Sequence, residues 1–254
     1  KKAQAHFFKN SNVLNKSDFL EIKHFEEIFE DSKKYENYLR NSDIFINSST
    51  PSFNLPIMNL ALKYNTNYAD LASDIYKDEI ISTLKFDQQN LENEFKYKNL
   101  FALINLGISP GITNFLIGEK IHSLKNLPYE VKIKKLEINL LEEIQSKKLI
   151  FSWSPKVAID ELAFPPVFYK KNRPKTIEPF SKSKVYKFPY FRNFVDIYPV
   201  FQEELISLKQ SFPQIENLKL FVGGSEIELM KNLYQLNLFS NKYCYENSDS
   251  KISI

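Results

Sequence analysis

The stretch that decides the fold reads Asp43-Ile-Phe-Ile-Asn-Ser-Ser-Thr-Pro-Ser-Phe-Asn-Leu-Pro-Ile-Met58. Its first five residues predict a short strand, and the segment from Asn54 to Tyr64 predicts a helix that tolerates Pro56 in its first turn. A strand that passes through a serine-rich turn into a helix is typical of a parallel sheet covered by helices, with cofactors binding at the carboxyl edge of the sheet. A plain turn capped by Ser and Asn side chains explains the same residues, and on pattern alone it is the commoner case.

Two further strands are predicted in the first half of the chain, over Asn67–Leu71 and Leu100–Leu106. The second is nearly all apolar, as a strand buried on both faces should be. It runs into Gly107-Ile-Ser-Pro-Gly-Ile-Thr-Asn114, which holds two of the five glycines in the chain. Glycine at these two positions would allow positive φ or close approach of the backbone to a ligand. The alternative is a Pro-Gly turn in which Thr113 or Asn114 caps the next helix.

The pattern changes near Pro128. From Tyr129 the apolar residues alternate and then shift phase at Lys134-Lys135, which predicts a long strand with a bulge. Residues 151–201 hold seven of the twelve prolines and predict short strands and turns. After these strands and turns we expect a helix over 203–212, a strand over 218–222 and a helix over 226–238. Three residues of the last helix, Leu229, Leu233 and Leu236, lie on one apolar stripe. A polar, frayed tail is expected after it. We therefore expect an α/β protein with one domain over residues 1–124 and a second, α+β domain over residues 125–254.

The composition narrows the classes of function. The chain has 34 basic and 31 acidic residues spread along its length, and only three of the basic residues are arginine. Because nucleic-acid binders concentrate basic residues on one face, this distribution disfavours a nucleic-acid partner. The single Cys244 and the three histidines do not share a metal-ligand spacing, so we expect neither a disulfide nor a bound metal. No apolar run approaches the ~18 residues of a membrane span. We expect a cytoplasmic protein with no membrane partner, and the start at Lys1-Lys2 suggests a fragment or a processed chain.

A third segment with chemical potential is Phe151-Ser-Trp-Ser-Pro-Lys-Val-Ala-Ile-Asp-Glu161. Ser154-Pro155 predicts the start of a helix that carries Glu161 about two turns further on. Trp153, the only tryptophan, could form the wall of a pocket in which Glu161 and Lys156 face a polar substrate. The alternative places Trp153 between domains and the charges on a solvated helix face.

These segments together resemble the saccharopine dehydrogenase family. The resemblance rests on Asp43–Met58, Tyr68-Ala-Asp-Leu71 and Gly107–Asn114, whose order and spacing match the family's Rossmann segments. The stretches Ser152-Trp-Ser-Pro155 and Glu203–Pro213 are similar to its substrate-domain segments. The second of these two leans toward the carboxynorspermidine synthase branch.

The resemblance implies a Rossmann domain that binds NAD or NADP and a second domain that closes over the nicotinamide. It also implies hydride transfer to or from the C–N bond of a small amino-acid conjugate such as saccharopine. Within that frame Trp153 and Glu161 are the expected catalytic residues. Arg40 precedes the first strand at the wrong end of the sheet, so Arg173 and Arg192 are the arginines expected to hold substrate carboxylates. The other expected site residues are Ser154 for the substrate, and Ser49, Thr50, Pro51, Asp70, Leu71 and Gly107 for the cofactor.

The sequence departs from the family at the phosphate-binding loop. Glycines occur only at positions 107, 111, 118, 223 and 224, so no Gly-x-Gly-x-x-Gly motif is present. Three hypotheses follow: a partial saccharopine dehydrogenase-like oxidoreductase, a carboxynorspermidine synthase-like polyamine enzyme, or a non-catalytic relative that serves as a partner subunit. The sequence does not choose between NAD and NADP, and it is compatible with a homodimer formed through the sheet of the second domain.

Overall fold

A computed structural model describes residues 27–30, 32–74, 85–146, 150, 154–239, 245–247 and 250–252. The chain forms two compact units, residues 1–42 and residues 43–254. In the first unit, α1 (Glu27–Glu30) and α2 (Glu36–Arg40) are separated by a 3-10 turn. In the sequence, the apolar residues Phe25, Ile28, Phe29 and Leu39 keep a helical spacing that predicts a helix. The structure forms these short pieces instead, and Phe25 lies outside the described residues.

The second unit begins with a parallel sheet in the order β1-β2-β3. Strand β1 (Ile44–Asn47) leads through a 3-10 turn into α3 (Asn54–Tyr64), and β2 (Asn67–Asp70) follows. The predicted bounds of α3 are confirmed, because Pro56 lies in its first turn and Asn65, at φ 55°, ends the helix in the left-handed region. A 3-10 helix and α4 (Glu92–Tyr97) lead to β3 (Ala102–Leu103).

The third strand is much shorter than predicted, and the expectation that both of its faces are buried is wrong. The register aligns Ile46, Ala69 and Leu103 on one face of the sheet, where Ile46 is 61% and Leu103 48% exposed. Tyr68 on the opposite face is fully buried and donates a hydrogen bond from its hydroxyl to Asn54 of α3. Only one face of the sheet is covered by the elements that the structure describes.

The second sheet has six strands, five of them in the order β6-β5-β9-β8-β7, and β4 pairs with β9. Strand β4 runs parallel to β9, whereas β5 and β8 pair with β9 in antiparallel fashion. This arrangement confirms an α/β fold with a parallel sheet and a separate mixed sheet. The strands of the parallel sheet precede residue 124 and those of the mixed sheet follow it, and the domain boundary expected at residue 124 stays a prediction. The elements from here on are α5 (Ile112–Lys125), β4 (Lys135–Leu141), α6 (Pro155–Ala163), β5 (Val167–Lys170), β6 (Arg173–Thr176), β7 (Lys184–Tyr186), β8 (Val195–Pro199), α7 (Glu203–Ser211), β9 (Asn217–Gly223), α8 (Ser225–Gln235), β10 (Tyr245–Asn247) and β11 (Ser250–Ile252).

The main core lies between the second sheet and its helices. Leu205 and Ile206 of α7 and Met230 of α8 are completely buried in it, together with Leu218 of β9. Burial of such apolar side chains provides about 25 cal/mol per Å² of area removed from water, so this cluster dominates the stability of the second sheet.

Three details differ from the sequence-based expectations. The predicted bulged strand from Tyr129 begins only at Lys135, and residues 129–134 have no regular structure. The buried residues of α8 are Ile227 and Met230, and the predicted Leu233 packs against the core beside them. Leu236 is 67% exposed because it lies past the end of the helix at Gln235. The tail predicted to fray contains an antiparallel hairpin, β10–β11.

None of the helices in the described ranges has both the length and the apolar composition that a membrane span requires.

Candidate functional site

A cavity of about 710 Å³ lies where loops from the two sheets meet. Its size is within the range of small-molecule sites. The loops after β2 and β3 form one wall, and the end of β4, helix α6 and the start of α8 form the other. The lining residues are Leu71, Leu106, Gly107, Ile108, Ser109, Ile112, Leu141, Glu142, Glu143, Ile144, Ala158, Glu161, Leu162, Gln202, Glu226 and Ile227.

The loop from Gly107 to Asn114 has a backbone that only glycine permits. Gly111 has φ +131°, and a Cβ added there would lie 2.2 Å from the carbonyl oxygen of Gly107. A Cβ on Gly107 would lie 2.7 Å from the carbonyl oxygen of Leu71, so the loops after β3 and β2 touch through their backbones. Asn114 accepts a hydrogen bond from the Gly111 amide at 3.2 Å. Positive φ at Gly111 and capping by Asn114 are both confirmed, and the close approach at Gly107 is to the protein's own chain.

The serine-rich turn after β1 is organised by the buried Asn47. Its Oδ1 accepts hydrogen bonds from the Ser49 amide at 3.0 Å and from the Ser49 hydroxyl at 2.6 Å. Its Nδ2 donates to Asn54 Oδ1 at 2.7 Å and to the Thr50 carbonyl at 3.2 Å. These bonds show a strand-to-helix turn held by Asn and Ser side chains, which is the interpretation that pattern alone favours. Ser49 is exposed, Thr50 and Pro51 are half-buried, and their contact with a cofactor stays a prediction.

Asp70, at the end of β2, is 1% exposed and does not itself line the cavity. Its Oδ1 accepts a hydrogen bond from the Asn105 amide at 2.8 Å, and its Oδ2 accepts one from Gln88 at 3.3 Å. Burial raises the pKa of Asp70, and the hydrogen bonds from Asn105 and Gln88 oppose that rise. The carboxylate thus joins the ends of β2 and β3, while its proposed contact with a cofactor stays a prediction.

Helix α7 attaches the second sheet to both of these loops. Glu203 accepts a hydrogen bond from the Ser73 amide at 3.2 Å, and Glu204 Oε1 accepts bonds from the hydroxyls of Ser109 and Thr113. One turn later, Ser207 accepts a hydrogen bond from Asn114 at 2.7 Å. Sequence reasoning missed these two glutamates, because acidic residues in the first turn of a helix ordinarily face solvent and interact with the helix dipole.

Glu161 of α6 lies on the cavity wall and is held by Gln202. The side-chain amide of Gln202 donates to Glu161 Oε1, and the hydroxyl of Ser109 lies 3.1 Å from Gln202 Oε1. Burial raises the pKa of Glu161 to about 8; the bond from Gln202 opposes the rise, and the nearby carboxylates of Glu142, Glu204 and Glu226 add to it. Burial also raises the pKa of Glu142 to about 7, with Glu226 and Glu204 contributing. At pH 7 Glu161 is therefore mostly protonated and Glu142 about half protonated.

The structure brings together predicted site residues from three separate segments: Leu71, Gly107 and Glu161 all line the cavity. Ser154 lies at the start of α6 and does not line it. Arg173, on the exposed strand β6, and Arg192, in an exposed turn, also lie outside its lining. Trp153 falls outside the described residues, so its predicted role stays open.

Sequence reasoning also missed Glu142, Gln202 and Glu226. A usable signal existed for Glu226, because the Gly223-Gly224 pair just before it follows a predicted strand and precedes a helix, as Gly107–Gly111 does. Gly224 has φ +123°, and a Cβ there would lie 2.0 Å from the carbonyl oxygen of Glu142. The glycine pair therefore lets the end of β4 approach the start of α8, which sets Glu142 and Glu226 on one wall.

No protein-family model matches the sequence, and no curated protein matches it either. Among solved structures, the fold is similar to apo saccharopine dehydrogenase (L-Glu forming) from Saccharomyces cerevisiae, with a TM-score of 0.62 and 17% sequence identity. The match covers 84% of this chain and 47% of the yeast chain, so this chain spans about half the length of that protein. At this identity the likeness establishes the fold.

Two weaker matches have a TM-score of 0.32 each. One is a candidate oxidoreductase from Bacteroides fragilis, at 10% identity over 75% of this chain and 49% of that one. The other is the candidate oxidoreductase YvaA from Bacillus subtilis, at 9% identity over 81% of this chain and 55% of that one.

Proposed function

We propose that this chain belongs to an NAD(P)-dependent oxidoreductase that acts on the C–N bond of an amine or imine, in the manner of the saccharopine dehydrogenase family. One observation carries the proposal: a single cavity is lined by Leu71 and Gly107, expected on the cofactor side, and by Glu161, expected on the substrate side. The fold shared with the yeast enzyme supports it.

The residues present suit the nicotinamide end of such a cofactor. The turn after β1 and the loops after β2 and β3 share the carboxyl edge of a parallel sheet, where dinucleotides bind in open α/β folds. Ser49, Thr50, Leu71 and Gly107 are the residues that would hold the nicotinamide half, and the cofactor when bound supplies the hydride. A glycine-rich diphosphate loop is not among the 254 residues.

The chain itself contributes a proton and part of an apolar cavity wall. Glu161, with a pKa of about 8, is mostly neutral at pH 7 and can donate its proton to a substrate nitrogen, and the Gln202 amide fixes the orientation of its carboxyl group. Leu71, Leu106 and Leu162 line the same cavity and give it apolar wall beside this carboxyl group.

Calorimetry with NADPH and NADH tests the proposal, using the full-length protein. We expect one nucleotide to bind and Ser49→Tyr to weaken that binding, because Ser49 is expected beside the nicotinamide. Ser123→Tyr is the matched control, since this exposed serine lies near the opposite end of α5, about 16 Å along the helix from Ile112. Failure of both nucleotides to bind would overturn the proposal, as would equal losses in the two variants.

The identity of the substrate is a separate measurement. Turnover with saccharopine and with carboxynorspermidine distinguishes the two branches, and activity on saccharopine alone would exclude the polyamine branch. The homodimer expected from the sequence stays a prediction.

A further inference from the structure

Glu204 is a completely buried carboxyl group that does not line the cavity. Its Oε1 is in hydrogen-bond contact with the hydroxyls of Ser109 and Thr113, and its Oε2 has no hydrogen-bond partner among the described residues. An ionised carboxylate with an unpartnered oxygen is costly in a buried site, whereas a neutral carboxyl group costs much less. The surroundings of Glu204 therefore favour its protonated form.

The charged groups around Glu204 favour the same form. Four acidic residues face it or its immediate neighbours: Glu203 on α7, Glu161 on α6, Glu142 at the end of β4 and Glu226 at the start of α8. Negative charge on any of them opposes ionisation of a further carboxyl group. Burial raises the pKa of Glu204, and the hydrogen bonds from Ser109 and Thr113 oppose that rise.

Hydrogen bonds connect Glu204 to Glu161, the proposed proton donor. The hydroxyl of Ser109 contacts Glu204 Oε1 and lies 3.1 Å from Gln202 Oε1, and the Gln202 amide donates to Glu161 Oε1. We call these four residues the Glu204–Glu161 chain. Since Ser109, Gln202 and Glu161 line the cavity, the chain links a buried group to the cavity wall.

The middle of the chain has one hydrogen for two acceptors. The hydroxyl of Ser109 carries a single hydrogen, and both Gln202 Oε1 and Glu204 Oε1 are within its reach. An ionised Glu204 would take this hydrogen, because a hydrogen bond to a carboxylate is roughly twice as strong as one between neutral groups. Ser109 would then present only lone pairs to Gln202 Oε1, and two acceptors would face each other.

A proton on Glu204 removes this conflict. The direction of the Ser109–Glu204 bond reverses: Glu204 donates to Ser109, Ser109 donates to Gln202, and Gln202 donates to Glu161 Oε1. Glu161 Oε1 is thereby kept as an acceptor, and the proton of Glu161 stays on Oε2. With the Gln202 amide turned over, Glu161 would instead donate its proton to Gln202 and would not have it available for a substrate.

We propose that Glu204 is a positioning residue that is protonated in the working protein and that, through Ser109 and Gln202, keeps the transferable proton of Glu161 available to the cavity. This inference rests on the proposed function for the reaction that uses the proton. The state of the chain is measurable without substrate or nucleotide, so the two proposals fail separately.

Carbon-13 NMR of the protein labelled at the side-chain carboxyl carbon of glutamate measures the protonation of Glu204 directly. Glu204→Gln identifies the resonance by removing it, and Glu204→Asp does the same if the first variant does not fold. We expect Glu204 to be protonated at pH 7. A resonance at the ionised position at this pH would overturn the inference.

The pKa of Glu161 reports on the other end of the chain. Ser109→Ala removes the donor that holds Gln202, so the bond from Gln202 that opposes the raised pKa of Glu161 is weakened. We expect the pKa of Glu161 to rise further in this variant. Loosened packing alone would admit water and lower that pKa toward its ordinary value, so a fall or an unchanged pKa would overturn the inference.

Ser207→Ala is the matched control. Ser207 accepts a hydrogen bond from Asn114 at 2.7 Å and so joins α7 to the same loop, but it is not part of the Glu204–Glu161 chain. We expect the pKa of Glu161 to stay unchanged in this variant. An equal rise in the control would show a general effect of loosening this contact and would overturn the inference.

Glu204→Gln tests the charge of Glu204. Its amide is neutral and can donate to Ser109, as the protonated carboxyl group does, so we expect the pKa of Glu161 to remain where it is. If Glu204 were ionised, the substitution would remove a neighbouring negative charge and lower the pKa of Glu161. A lower pKa in this variant would therefore count against a protonated Glu204.

Kinetics test the positioning role. Ser109→Ala and Gln202→Leu should each lower kcat about tenfold, a part of the usual contribution of a positioned general acid, with a smaller effect on KM. The double variant should lose no more than the weaker single variant, because both substitutions break the same chain. Additive losses would show that the two residues act independently and would overturn the inference.

Nucleotide binding by the full-length protein separates this inference from the proposed function. A protonated Glu204 coupled to Glu161 in a protein that binds neither nucleotide would keep the chain and remove the oxidoreductase. Nucleotide binding with an ionised Glu204 would do the reverse.

Discussion

At the scale of single residues, Glu161 is the side chain on which the chemistry depends. Its carboxyl group lines the cavity, is oriented by Gln202 and holds a proton at neutral pH because burial raises its pKa to about 8. The neighbouring Asp160 does not line the cavity. It pairs with Lys156 on the partly exposed side of α6, and 37% of its side chain is exposed. Two adjacent carboxyls on one helix thus offer a test and its control.

Glu161→Gln should lower kcat by about 10²- to 10⁴-fold, the usual contribution of a positioned general acid or base. The amide keeps the shape of the side chain but holds no transferable proton, so KM should change much less. Steady-state kinetics with saccharopine or carboxynorspermidine, whichever the protein turns over, measure this, and Asp160→Asn should retain activity. Full activity in Glu161→Gln would remove Glu161 from the catalytic residues.

At the scale of elements, the loop Gly107–Asn114 and helix α5 connect the two sheets. The loop is shaped by the positive φ of Gly111, and its residues Ser109 and Thr113 are bound to α7 of the other sheet. Helix α5, which follows the loop, contains Gly118, where a side chain would fit without a collision because an added Cβ would meet nothing within 4 Å. One short segment therefore holds one glycine that the backbone requires and one that it does not.

Gly111→Ala should destabilise the protein by several kcal/mol, about the upper range for single substitutions, because the new Cβ would collide with the backbone of Gly107 in a strained conformation. Gly118→Ala should instead stabilise it by about 0.5 to 1 kcal/mol, because alanine loses less backbone entropy in a helix interior. Urea unfolding of both variants measures the difference. Equal stability of the two would contradict the described loop.

At the scale of the whole molecule, several buried carboxyl groups make stability depend on pH. Burial raises the pKa of Glu142 to about 7 and of Glu161 to about 8, and it also raises those of Glu203 and Glu204. An unfolded glutamate ionises near pH 4.3, so the folded state binds more protons than the unfolded state between that pH and the raised pKa values. The stability from these groups is complete below about pH 4.3 and is lost as pH rises through 7 to 8.

The melting temperature Tm should therefore decrease as the pH rises from 6 to 9. Each extra proton bound by the folded state corresponds to about 1.4 kcal/mol per pH unit, or a few degrees in Tm for a domain of this size. Glu161→Gln should flatten the dependence, because the amide does not ionise. Thermal melts in a pH series at constant ionic strength measure both effects, and a Tm that rises over this range would show that these carboxyls are not buried as described.

Local patterns in the sequence determined the elements of the parallel half of the molecule. The strand–turn–helix unit over residues 43–64, strand β2 and the positive φ at Gly111 follow from residue types that act on their own backbone: short apolar runs, a proline in the first turn, a glycine before a helix. The resemblance to a dehydrogenase family also rested on such short segments, and the shared fold agrees with it.

Only the tertiary structure decided which side chains face one another. The burial of Glu203 and Glu204, the grouping of Glu142, Glu161 and Glu226, and the exposure of Leu103 each depend on residues far apart in the chain. A glutamate in the first turn of a helix has the same local pattern whether it faces water or another sheet. The grouping of carboxyl groups around the cavity is therefore a property of long-range packing rather than of any single stretch of sequence.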